Sequence, residues 1–182
     1  MSMKALVLAL SLAFAGISIA QARDLDPENT LVMQTPHGEV VIALRPDLAP
    51  LHAERLVTLT RDEFYDGVPF HRVIPGFMAQ TGDPTGTGRG GSELPDLPAE
   101  FSSVPFERGT VGMARAQNPN SANSQFFIVY DSAPWLNGDY TLIGEVVSGM
   151  EAVDAIRKGE GSGGMVRDPD TIVTMRVLAD TQ

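Results

Sequence analysis

The residues best suited to chemistry lie in one stretch, FHRVIPGFMAQTGD, residues 70–83. It contains one guanidinium, two large apolar side chains and one amide, from Arg72, Phe77, Met78 and Gln80. It offers no nucleophile, no metal-ligand cluster and no pair of carboxylates, which are the usual signs of covalent or metal-assisted chemistry. These residue types predict non-covalent binding of a polar group beside an apolar surface.

The local pattern indicates how these side chains are positioned. A Pro-Gly pair at 75–76 separates two short apolar runs, which predicts a strand, a tight turn and a second strand. Side chains two apart on a strand share a face, so Met78 and Gln80 point the same way, and the turn folds Arg72 back beside them. From these residues alone, a half-buried hairpin whose arginine only solvates its edge remains an alternative.

Four later blocks extend the pattern. They read GTVGMARA at 109–116, NSQFFI at 123–128, WLNG at 135–138 and GEVV at 144–147. With residues 70–83, they resemble the cyclophilins, the peptidyl-prolyl cis-trans isomerases, in the family's order and spacing from about residue 30 to 178. The resemblance implies an enzyme that speeds rotation about X-Pro bonds in folding or flexible polypeptides, without a cofactor or a metal.

The resemblance also implies a set of site residues. Arg72, Phe77 and Gln80 are expected to be catalytic, and Trp135 is expected to line the site of cyclosporin-type cyclic peptides, which should inhibit. Two positions depart from the family: Arg115 stands where Asn is frequent, and Tyr140 where His is frequent. The remaining residues are expected to bind substrate: Met78, Ala114, Arg115, Ala116, Gln125, Phe127, Trp135, Leu136 and Tyr140.

The role assigned to Arg72 agrees with the chemistry of amide rotation. Twisting an X-Pro amide gives its nitrogen a lone pair, so a fixed donor near that nitrogen stabilises the transition state more than the planar forms. Arg72 is the only cation in residues 70–83, and a guanidinium stays charged at any working pH.

The N-terminus predicts export. Lys4 precedes an apolar run at 5–20, and Ala20-Gln21-Ala22 fits a cleavage site, so residues 1–22 are interpreted as a secretory signal peptide and the protein as periplasmic. A membrane anchor is the weaker alternative, because spanning takes about 20 apolar residues. We therefore expect no membrane association after cleavage.

The amino-acid composition argues against several other kinds of protein. The chain has no cysteine, so it can form neither a disulfide nor a lipid-modified cysteine. Its formal net charge of −10 at pH 7 argues against nucleic acid as a partner, since phosphate binding needs a basic face.

Short β-prone runs and two helices indicate a single all-β dominated domain at residues 30–182, after a loose arm at 23–29. One helix is predicted to begin at Pro50. A second helix is predicted to begin at a capping box over residues 148–151 and to end at Lys158-Gly159. The pattern fits a sandwich or a barrel. The resemblance implies a closed eight-stranded antiparallel β-barrel capped by two α-helices. We expect the protein to be a monomer.

Other motifs are interpreted as structural. Residues 86–91 satisfy G-x-G-x-x-G, but prolines at 95 and 98 forbid the helix of a dinucleotide site, so a surface loop beside the groove is expected. His37, His52 and His71 have no metal-binding spacing. Two other functions are considered: a cyclophilin-fold chaperone or binding module with little turnover, and an unrelated secreted β-barrel with an interior ligand.

Overall fold

The computed structural model describes residues 25–181, so the expected signal peptide at 1–22 lies outside the described residues. This part of the chain forms eight strands and two α-helices, as the sequence predicts. The strands are β1 Thr30–Thr35, β2 Gly38–Leu44, β3 Arg72–Ile74, β4 Met78–Thr81, β5 Thr110–Met113, β6 Phe126–Val129, β7 Leu142–Ser148 and β8 Thr174–Val177. The helices are α1 Pro50–Arg61 and α2 Met150–Ala155.

The strands form one antiparallel sheet in the order β3-β4-β6-β5-β7-β2-β1-β8. The outermost strands, β3 and β8, do not pair with each other. The chain before β3 meets the chain before β8 only through an isolated bridge between Pro69 and Thr171 and scattered bonds, such as Gly67 N–H to the Ile172 carbonyl at 2.7 Å. The sheet is a curled, open half-barrel.

The prediction of a closed barrel is therefore wrong. Two local features account for the open edge. Pro69 has no N–H to donate to a ladder, and β3 is only three residues long, so no regular pairing extends across this gap.

Side-chain alternation divides the apolar residues into two clusters. Phe126 and Ile128 belong to the main core inside the curled sheet, while Phe127 faces the other way, as predicted. The main core also receives Leu56 from α1 and Val153 from α2. The second cluster underlies the site described below and consists of Met78, Phe106, Phe127, Val129, Ala133, Leu136 and Leu142.

The two helices begin differently. In α1, Pro50 occupies the first turn, and the Glu100 carboxylate accepts from the Leu51 and His52 amides at 3.1 Å each. In α2, the N-cap is Gly149 with a φ of 88°, so the predicted capping box with Ser148 as its cap is wrong. Helix α2 ends at Ala155, short of Lys158, because Ile156 has a ψ of 135° and so leaves the helical conformation.

Side-chain bonds hold the long connections that surround the site. Buried Tyr65 donates its hydroxyl to the Ser124 carbonyl at 3.0 Å, and Ser124 Oγ donates to the Gly82 carbonyl at 2.7 Å. Arg55 donates to the Pro95 carbonyl at 2.7 Å. These bonds anchor the loops after β4 and before β6 to α1 and the sheet.

Residues 25–29 belong to the segment expected to be a loose arm. In the structure, residues 27–29 form a 3₁₀ turn capped by Asp26, and Arg61 donates to Glu28 at 2.7 Å. Neither helix within residues 25–181 is long and apolar enough to cross a membrane.

Candidate active site

The β3–β4 hairpin positions the central arginine. The turn uses Gly76 with a φ of 71°, a conformation that favours glycine, and the strands pair with Arg72 opposite Gln80. Arg72 Nη1 donates to Gln80 Oε1 at 3.2 Å, and Arg72 Nε donates to the Gly163 carbonyl at 3.0 Å. The guanidinium is thus held from two sides, which fixes the direction of its remaining N–H groups.

A chain of amide bonds continues from this arginine. Gln80 Nε2 donates to Gln125 Oε1 at 2.8 Å, and Gln125 Nε2 donates to the Gly90 carbonyl at 2.8 Å and the Gly88 carbonyl at 3.2 Å. The expected glycine-rich loop therefore lies beside the groove. This network connects the arginine on β3 to that loop.

A pocket of about 470 Å³ with an apolar floor opens next to Arg72 and is called the apolar pocket below. Its floor is buried, with Met78 2% exposed and Phe127 and Leu136 each 5% exposed. Gly112 on β5 leaves room for this floor, because a Cβ there would lie 2.6 Å from the rings of Phe106 and Phe127. The complete lining is Arg72, Phe77, Met78, Gln80, Ala114, Arg115, Phe127, Trp135, Leu136 and Tyr140.

Aromatic contacts build the walls of this pocket. Trp135 is 60% exposed, and its ring centroid lies 5.4 Å from that of Phe77. On the other side, the Tyr140 ring meets Phe127 edge-on at 5.9 Å. The Arg115 guanidinium lies 4.5 Å from the centroid of Tyr140 and covers that ring.

A second, more polar pocket of about 540 Å³ adjoins the first and shares Gln80, Ala114 and Arg115 with it. It also contains the predicted residues Ala116 and Gln125, so the two pockets together bring in all twelve side chains expected from the sequence. Sequence reasoning missed several residues that line it: Gly88, Arg89, Gly90, Gly91, Ser92, Asp96, Ser121 and Asn123. Two signals in the sequence could have found part of this set: Asn123 lies in the quoted NSQFFI block, and residues 88–91 lie in the loop expected beside the groove.

The segment 114–116 was expected to pair with a peptide through its main chain. The Ala114 amide donates to the Gln125 carbonyl and the Ala116 amide to Ser121 Oγ, both at 2.9 Å. These two amides are thus used within the chain. Within residues 25–181, the Arg115 amide has no partner and remains available to a ligand.

The described lining of the two pockets contains no histidine and no cysteine, and Asp96 in the polar pocket is its one carboxylate. Burial lowers the pKa of His71, the neighbour of Arg72, and Asp83 only partly opposes this. His71 is 1% exposed and lines neither pocket. No cluster of three potential metal ligands occurs in residues 25–181. The arrangement can therefore orient and polarise a bound amide, with an apolar pocket to hold an adjacent ring.

Comparisons with known proteins identify the class. The family model described as cyclophilin type peptidyl-prolyl cis-trans isomerase/CLD matches residues 30–177. The chain belongs to this family, as the sequence blocks indicated.

Individual relatives agree with that assignment. A probable peptidyl-prolyl cis-trans isomerase of Brucella suis is 55% identical over 185 residues, which cover 93% of this chain and 94% of that protein. The crystal structure of a cyclophilin from Hirschia baltica is 27% identical with a TM-score of 0.78, covering 86% of this chain and 76% of that one.

A third match is a crystal structure whose name mentions a ligand. A cyclophilin type peptidyl-prolyl cis-trans isomerase of Cryptosporidium parvum, crystallised in the presence of the dipeptide Ala-Pro, is 30% identical with a TM-score of 0.74. The match covers 81% of this chain and 98% of that one. The activity of the present chain is thus that of a peptidyl-prolyl cis-trans isomerase.

Proposed function

We propose that this isomerase acts by non-covalent stabilisation of the twisted X-Pro amide, with Arg72 as the donor to the imide nitrogen. The observation that carries the proposal is the position of Arg72. Its guanidinium is held by Gln80 Oε1 and the Gly163 carbonyl at the edge of an apolar pocket with Met78 and Phe127 at its floor.

The proposed reaction begins with the proline ring in the apolar pocket. Phe77, Met78, Phe127 and Leu136 provide surfaces that suit a pyrrolidine ring. With the ring held, the chain on one side of the bond rotates. The amide loses its double-bond character, and the nitrogen gains a lone pair that the Arg72 N–H groups can meet.

Hydrogen bonds to the substrate backbone are assigned to the rim. Gln80 and Gln125 are fixed by the network described above, and the Arg115 amide is available. A donor or acceptor fixed before binding loses little freedom when the substrate arrives. These contacts hold the residues that flank the rotating bond.

We further propose the setting in which this activity operates. Residues 1–22 act as a cleaved secretory signal, residues 30–182 form the isomerase domain, and the substrates are folding or flexible polypeptides of the periplasm. The protein works as a monomer, and cyclosporin-type cyclic peptides inhibit it by contacting Trp135. The exposed indole supports this last part of the proposal.

The test is an isomerisation assay with the purified protein and short proline peptides, read by NMR exchange between the cis and trans signals. Uncatalysed exchange takes about 10–100 s, so acceleration is easily seen. We expect catalysis that persists in a metal chelator. Suppression of client aggregation without any acceleration of exchange would instead support the chaperone or binding-module function.

A further inference from the structure

The two pockets carry a positive charge on an acidic protein. Their lining contains three arginines, Arg72, Arg89 and Arg115, and one carboxylate, that of Asp96. The whole chain has a formal net charge of −10. The substrate groove therefore differs in sign from the chain as a whole.

None of these three arginines forms an ion pair with a carboxylate of residues 25–181. Four of the seven described arginines outside the two pockets do form such pairs. Arg45, Arg61, Arg108 and Arg176 each meet an aspartate carboxylate at 2.6–2.9 Å. The charge of the groove is thus left for a ligand, because the chain does not neutralise it internally.

Of the three arginines, Arg115 is the best placed to contact a bound peptide. It donates to the carbonyls of Ala116 and Asp139 at 2.9 Å, and its guanidinium covers the Tyr140 ring. These partners fix the side chain and carry no formal charge. Because Arg115 lines both pockets, a peptide that extends from one to the other passes beside it.

We propose that Arg115, supported by Arg89, makes this isomerase prefer polypeptides with an acidic residue near the proline. This inference rests on the proposed function and names the substrate class of the same site. An acidic side chain in the polar pocket would reach the Arg115 guanidinium, which its carbonyl partners hold in place, and the exposed Arg89. Asp96 provides the only opposing charge among the described residues that line this pocket. Asp96 Oδ1 is engaged by Asn123 Nδ2 at 3.0 Å.

The experiment compares kcat/KM for matched proline peptides with uncharged ends, in which one residue is Glu or Gln. Peptides carry this residue at each position from three before to three after the proline. At low salt, we expect the best-placed Glu to be preferred about 1.4- to fivefold, since a partly exposed ion pair is worth about 0.2–1 kcal/mol. The preference should fall as salt is raised.

Amino-acid substitutions test whether Arg115 and Arg89 cause the preference for Glu over Gln. Arg115→Gln should reduce the Glu/Gln ratio, Arg115→Lys should retain part of it, and a double Arg115→Gln, Arg89→Gln variant should bring it near one. Asp96→Asn should raise the ratio. Arg167→Gln is the matched control, because Arg167 is exposed and lines neither pocket, and it should leave the ratio unchanged.

The outcomes separate the two proposals. Equal turnover of every Glu and Gln pair, or a preference that survives in the double variant, would overturn this inference alone. No turnover of any of these peptides would overturn the proposed function and this inference together.

Discussion

Arg72 is the first residue of β3, and His71, which directly precedes it, lies in a different environment. Arg72 projects into the groove and bonds Gln80 and the Gly163 carbonyl, while His71 points into the interior and is 1% exposed. Of these two residues, only Arg72 can therefore touch a bound peptide.

This separation predicts a turnover that is nearly independent of pH. Burial lowers the pKa of His71, so its imidazole stays neutral at pH values where a free histidine would begin to gain a proton, and no step of the proposed mechanism needs proton transfer. We expect kcat/KM to vary little between about pH 6 and 8.5. A histidine acting as acid or base would instead make kcat/KM change steeply near pH 6.5. Measurement across this range, with His71→Gln alongside, checks it. A steep change of kcat/KM in this pH range that disappears in the His71→Gln variant would assign His71 a catalytic role.

Trp135 should affect inhibition more than turnover. Its indole is 60% exposed at the rim, so a bulky cyclic peptide can contact it while a proline ring occupies the inner pocket. We expect cyclosporin to inhibit, and Trp135→Phe to weaken inhibition by about 1–3 kcal/mol, from a lost N–H donor and less apolar contact. Titration of both proteins with the drug gives the comparison. Equal inhibition of the two proteins, or equal loss of turnover and inhibition, would remove Trp135 from this role.

At the scale of elements, the loop after β4 is organised around one buried carboxylate. Asp83 Oδ1 accepts from the Thr85 amide at 2.8 Å and from its hydroxyl at 2.7 Å, and Asp83 Oδ2 accepts from the Gly88 amide at 2.6 Å. Burial alone would raise the pKa of Asp83, but these bonds and one from Gly90 outweigh it and lower the pKa to about 2. The loop that carries Gly88 and Gly90 into the groove thus depends on the ionised form.

Replacing this carboxylate should destabilise the protein in a pH-dependent way. A folded-state pKa below the unfolded value of about 3.9 contributes stability above that value, which is lost as pH falls towards 2. We expect Asp83→Asn to lower the free energy of unfolding by about 2 kcal/mol at pH 7, and by about half of that at pH 3. Denaturant titrations at both pH values measure this.

Asp62→Asn provides the control for that experiment, because Asp62 is an exposed aspartate at the end of α1. It should change stability little at either pH. An Asp83→Asn variant as stable as the wild type at pH 7 would show that the ionised carboxylate does not hold the loop.

Features that depend on neighbouring residues were predictable from the sequence. The β3–β4 hairpin follows from Pro75-Gly76 and two apolar runs, and the contact of Arg72 with Gln80 follows from its register. Strand periodicity also separated Phe126 from Phe127 correctly. In each case the physical cause lies within a few residues of the chain.

Features that depend on distant segments were not predictable. Periodicity identifies strands but cannot decide whether a sheet closes, and here the outcome depends on Pro69 and a three-residue β3. The polar pocket arises where the loops after β4 and β5 meet, so its residues share no local pattern. Likewise, the stacking of Arg115 on Tyr140 brings together residues from separate segments.

At the scale of the whole molecule, export is the main untested expectation. Expressed at full length in a Gram-negative host, the protein should be recovered from the periplasm with Arg23 at or near its N-terminus. Intact mass measurement and cell fractionation test this. Membrane-bound protein that retains residues 1–22 would indicate an anchor instead.

The open half-barrel leaves substrate to bind outside the main core. The main cluster fills the interior of the curled sheet, and the groove lies over the second cluster on its outer face. Residues that act on substrate can therefore change without loss of the fold. A variant of Arg72 should remain folded, which makes its turnover interpretable.

The most direct test of the account is the isomerisation rate of Arg72 variants on one proline peptide. Both Arg72→Ala and Arg72→Lys should lose about a hundredfold or more in kcat/KM, since losing a transition-state donor costs about 2.7–4 kcal/mol and a mobile ammonium cannot replace a fixed planar fork. Arg167→Ala is the control, and circular dichroism should be unchanged in every variant. Near-normal turnover by a well-folded Arg72→Ala protein would contradict the proposed mechanism.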